Sequence, residues 1–98
     1  MPRSLASRPA PWIQHALSEG FAHLNAGRIN EASECCRRVL GAKPDLVEGH
    51  FLVGLIALEA GQTLNAIRAF GSVTRLQPDH GPAWANLASL FVRAGHAN

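Results

Sequence analysis

From Phe51 to Leu58 the chain reads Phe-Leu-Val-Gly-Leu-Ile-Ala-Leu, with no polar residue. The run is far shorter than the roughly 20 residues needed to cross a bilayer. A helix apolar all round is one that other elements cover on every side. Apolar residues also recur at helical spacing before and after it. Leu17, Phe21 and Leu24 make one row, Phe51, Leu55 and Leu58 a second, and Ala85, Ser89 and Val92 a third, each set 34 residues beyond the last. The pattern predicts helices over about Pro11–Ala26, Asp45–Ala60 and Leu64–Leu76. Pro11 suits a first helical turn, where a missing N–H costs nothing.

The same 34-residue shift aligns the residues that punctuate structure. Gly20 falls on Gly54 and Ala88, Gly27 on Gly61 and Gly95, Ala32 on Ala66, Pro44 on Pro78 and Asp45 on Asp79. Each Pro halts a helix, and the Asp after it is a favoured N-cap. Asp45 and Glu48 stand at capping-box spacing. Gly61 supplies the left-handed residue that ends a helix, and Gly95 is expected to do the same in the third unit. Each unit is thus two antiparallel helices joined by a short turn. A mid-helix glycine costs about 1 kcal/mol relative to alanine, so Gly20 and Gly54 are expected to admit a close neighbour, with Ala32 and Ala66 facing them.

These residues resemble the tetratricopeptide repeat (TPR) family. Trp84, Leu87, Ala88, Phe91 and Gly95 match its first-helix pattern in the third unit. Gly54, Gly61, Ala66, Phe70 and Pro78 match in the second, with His50 and Ala57 in its aromatic places. In the first unit Gly20, Gly27, Ala32 and Pro44 fit, while Ala16, Glu19, His23 and Cys36 replace large or apolar residues. The resemblance implies an all-α fold, a right-handed α-solenoid of antiparallel helix hairpins with five helices in about two and a half units. Repeat 1 would span about 11–44, repeat 2 about 45–78 and a truncated repeat 3 about 79–98, after a flexible tail over 1–10. Trp12 is expected to cover the open N-terminal end.

Composition narrows the function. A net charge of +2 is too weak for a nucleic-acid surface, and 47% apolar with 16% charged residues suits a folded soluble domain. Arg3 and Arg8 precede no apolar segment of the kind a secretory signal has. Cys35 and Cys36 are adjacent on a helix and cannot readily bridge each other, which reads as reduced thiols in a cytoplasmic protein. His23, Cys35, Cys36 and His50 have metal-ligand chemistry but no metal spacing, so packing roles are favoured and no metal or cofactor is expected. Seven carboxylates lie scattered, with no phosphate loop, HExxH or GxSxG motif, so no enzyme activity is expected. Arg37, Arg38 and Lys43 read as cations complementing a helix C-terminus.

Trp84, Leu87 and Phe91 are expected to lack the return helix that covers such residues. The chain then reads as part of a longer protein, or as a protomer whose open C-terminal end self-associates. The resemblance places the three apolar rows on the concave surface. Either a segment of the same protein, a second copy, or an amphipathic helix or apolar peptide of a partner would cover them. The family's carboxylate clamp is not expected, because Leu17, Phe21, Pro82 and Asn86 stand at its places. The first expectation is a protein-interaction scaffold. The second is an accessory region ahead of a larger bacterial enzyme such as a sulfotransferase or glycosyltransferase.

Overall fold

The computed structural model describes residues 10–96, which form five helices and no strand. They are α1 (Pro11–Asn25), α2 (Ile29–Ala42), α3 (Val47–Glu59), α4 (Thr63–Leu76) and α5 (Gly81–His96). Apart from Ala10, the expected N-terminal tail lies outside the described residues, as do Ala97 and Asn98. The fold is an all-α stack of helical hairpins: α1 packs on α2, α3 on α4, and each hairpin on the next. Its extents of 56 × 29 × 18 Å are those of a rod built by repetition.

The 34-residue register holds down to single hydrogen bonds. Gly27 and Gly61 take left-handed φ of 80° and 73°. Beyond them, Arg28 N–H donates to the His23 carbonyl and Gln62 N–H to the Ala57 carbonyl, both at 2.8 Å. This is the glycine-closed helix end that satisfies orphan carbonyls. Gly95 differs from the expectation. It lies inside α5 and is not among the glycines of positive φ. Glycine allows both conformations; at Gly27 and Gly61 the left-handed one is selected by the return of α2 and α4 along their hairpins.

Another local expectation is corrected. Asp45 does not cap α3: the helix begins at Val47, Leu46 holds the cap position, and no side chain caps it. Leu46 N–H bonds back to the Lys43 carbonyl, and His80 N–H to that of Gln77, each at 3.1 Å. Pro-Asp is therefore consumed as the centre of a β-turn, where Pro is favoured, and the helix starts later. The residue before α5 is His80, whose Nδ1 accepts the Ala83 N–H at 3.1 Å. The mid-helix glycines do admit close neighbours: the Ala32 carbonyl lies 3.9 Å from a Cβ added at Gly20, and larger side chains come nearer still at both positions. A Cβ on Gly54 would meet the Phe70 ring at 2.6 Å, and one on Gly20 would meet Leu52 at 2.6 Å and Cys35 at 3.2 Å.

The core is three clusters in a row rather than one centre. Ile13, Ala16, Leu17 and Val39 fill the first hairpin, with Leu46 at the cap of α3 joining them. Ala32, Cys36, Leu52 and Ile56 join α2 to α3. Ala57, Phe70, Val73, Leu87 and Leu90 join α3, α4 and α5. Helix α3 feeds two of these clusters from different sides, which is why it carries no polar face.

Candidate functional site

The predicted row along the first helices is graded from closed to open. Leu17 is only 3% exposed, inside the first cluster, and offers nothing to a ligand. Phe21 and Leu24 are half-buried against the middle cluster, and Phe51, Leu55 and Leu58 against the third. Ala85, Ser89 and Val92 are exposed. The gradient has a packing cause: the half-buried side chains of α1 lean on Leu52 and Ile56 of the next hairpin, and those of α3 on the cluster that holds Leu87 and Leu90. Among the described residues no later helix does this for α5.

Phe51 is tied to the core more firmly than its place in the row suggests. Its ring meets Phe70 edge-on at 5.5 Å between centroids and lies 5.0 Å from the His80 ring. The face of α5 that carries Trp84, Ala88 and Phe91 is open, with Trp84 at 51% and Phe91 at 57% exposure. Leu87, expected to be uncovered as well, is buried against the third cluster.

The singled-out histidines and cysteines each sit in separate local roles. His50 Nε2 lies 2.7 Å from the Pro44 carbonyl, and Trp84 Nε1–H donates to the Pro78 carbonyl at the same 2.7 Å. His50 thus serves where the next unit has tryptophan, and the 34-residue register is the signal that links the two bonds. His23 Nδ1 accepts from Arg28 Nε at 3.0 Å. Cys35 and Cys36 are buried free thiols. Burial raises both proton affinities, that of Cys36 to about 12 with the neighbouring Cys35 adding to it. Among the described residues no group of three or more His, Cys, Asp or Glu side chains could hold a metal ion.

The basic residues of α2 also part ways. Arg37 and Arg38 lie before the last turn of the helix, so the helix-end reading is corrected for them, while Lys43 does hold its C-cap position. Arg37 pairs with Glu34, Arg38 stacks over the Trp12 ring at 5.7 Å, and Lys43 lies 3.5 Å from Asp45. Trp12, 43% exposed, thus has a cation over its ring.

Sequence reasoning missed a cleft between α2 and α4, floored by α3, with a volume of about 510 Å³. Helix α1 touches α3, whereas α2 and α4 stand apart around this cleft. The stack therefore bends with its first helices inside and opens between the second ones. Ser33, Cys36, Arg37 and Leu40 line one wall; Asn65, Arg68, Ala69 and Ser72 line the other. Both walls follow an i, i+3, i+4, i+7 stripe, one helix face each. That spacing was present in the sequence, but polar residues on it read as a solvated surface.

Fold and surfaces together define a helical-hairpin repeat module, with an apolar row on one side and a mixed cleft on the other. No protein-family model matches the chain. It is similar to "Probable biofilm formation methyltransferase WspC" of Pseudomonas putida, 30% identical over 107 aligned positions covering 97% of this chain. The protein of that name from Pseudomonas aeruginosa is 32% identical over 72% of the chain, and human "Superkiller complex protein 3" is 27% identical over 88%. The chain spans 25%, 17% and 6% of the lengths of these three relatives. The similarity is to one region of larger proteins. No helix among the described residues is long and apolar enough to cross a membrane.

Proposed function

We propose that this chain is a tetratricopeptide-repeat interaction scaffold, non-enzymatic in itself, that holds a polypeptide along its row of first helices. The observation that carries this is the row itself. Phe21, Leu24, Phe51, Leu55 and Leu58 remain only half-covered after folding, and Val92 continues them at 58% exposure. Apolar side chains aligned in one register across three helices suit an amphipathic helix or apolar peptide laid along them. A photo-reactive phenylalanine analogue placed at Ser89 tests it, with the same group at exposed Glu31 on α2 as the control. The expected result is a discrete adduct at Ser89 that Val92→Glu abolishes. Equal labelling at both positions overturns the reading.

A second reading has its own support. Two bacterial relatives are named methyltransferases, and the chain matches a quarter or less of each. On that analogy the scaffold serves as an accessory region of a larger bacterial enzyme, of methyl-transfer rather than sulfo- or glycosyl-transfer type. The mass of the natural protein decides it: a species no larger than these 98 residues rules it out.

A further inference from the structure

We propose that the cleft between α2 and α4 is a second docking surface, built for an amphipathic helix with carboxylates on both flanks of an apolar stripe. The cleft is on the other side of the stack from the first-helix row, so this inference does not depend on the function proposed above.

Its floor is apolar. Val53, Ile56 and Ala57 of α3 lie at the bottom, with Leu40 on the α2 wall. In the second unit Phe70 reaches under its hairpin to fill the space that Gly54 leaves. The residue in register with Phe70 in the first unit is Cys36, a far smaller side chain, and it lines the cleft.

Charge selects the occupant. The charged residues lining the cleft are Arg37 on one wall and Arg68 on the other, and no carboxylate lines it. Arg68 makes no ion pair among the described residues. Arg37 is shared with Glu34 on its own exposed helix face, a kind of pair that contributes little and yields readily to a better partner. Guanidinium groups grip carboxylates through paired, directional hydrogen bonds. Asn65 and Ser72 on one wall and Ser33 on the other add polar groups around the rim.

Size and spacing select a helix. Each wall stripe covers about two helical turns, roughly 10 Å. A helix entering such a groove is read through its own anchors at i, i+3 or i+4, and i+7, which span the same two turns as each wall. A volume of about 510 Å³ accommodates the few apolar side chains such a stripe would insert.

The test is a titration of the isotope-labelled chain with a synthetic helical peptide bearing leucines at i, i+3 and i+7 flanked by glutamates, beside a twin with glutamine for every glutamate. We expect methyl shifts at Leu40, Val53 and Ile56, and at least tenfold tighter binding of the glutamate peptide. Arg68→Glu and Arg37→Glu should each weaken it tenfold or more without changing the melting temperature, because both side chains are exposed. Equal binding of the twin overturns the proposal, as does the absence of shifts at millimolar peptide. Methyl shifts confined to Leu55, Leu58 and Val92 also overturn it, while supporting the first-helix row. Cleft shifts that grow with protein concentration alone would assign the surface to a second copy instead.

Discussion

Cys36 occupies the register position of Phe70 and contributes a small, buried, neutral side chain to the middle cluster. Its folded proton affinity of about 12 lies above the ordinary 9.0, chiefly because burial disfavours the thiolate. The unfolded thiol ionises above about pH 9 while the folded one does not. The contribution to stability is therefore complete below pH 9 and is lost as pH rises from 9 toward 12. Urea unfolding at pH 8 and pH 10.5 should show a larger loss of midpoint in the natural chain than in Cys36→Ala. Equal losses would mean that the thiol ionises as freely folded as unfolded. The same burial should make both thiols slow to alkylate until the chain is unfolded.

At the scale of helices, two glycines in equivalent chemistry should respond oppositely to the same substitution. Gly54 lies where α3 meets α4, and three Phe70 ring atoms stand within 3.0 Å of a Cβ added there. Phe70 is fully buried and its rigid ring cannot step aside. Overpacking of this kind costs about 1–3 kcal/mol, which outweighs the gain of about 1 kcal/mol from helix propensity. Gly71 lies within α4 with nothing inside 4 Å of its added Cβ, so the propensity gain stands alone. Gly54→Ala should lower the melting temperature and Gly71→Ala should raise it by a few degrees. Thermal unfolding by circular dichroism reads both, and a stabilised Gly54→Ala would sink the close-packing account.

Over the whole molecule, the linear series of clusters leaves its two ends unequal. At the N-terminal end Trp12 is stacked by Arg38, while the opposite face of α5 presents Trp84 and Phe91 to solvent. An apolar stripe of this kind tends to find a partner. We expect the chain to sediment above its monomer mass at high concentration, and Phe91→Glu to return it to monomer with helicity intact. Sedimentation of the natural chain as a monomer throughout would remove self-association from the account.

What the sequence determined by itself was the periodic part of the protein. The helix faces, the glycine turns at 27 and 61 and the Pro-Asp breaks depend on local backbone preferences that repeat every 34 residues. A residue can declare those without knowing its neighbours. The tertiary structure alone decided what those neighbours do. It closed Leu17 inside a hairpin and put the Phe70 ring into the space left by Gly54. It gave His50 the hydrogen bond that Trp84 makes one unit later. It also opened the cleft between α2 and α4. Each of these follows from which side chains meet across helices distant in sequence, and the curvature that separates the second helices is a property of the packed stack.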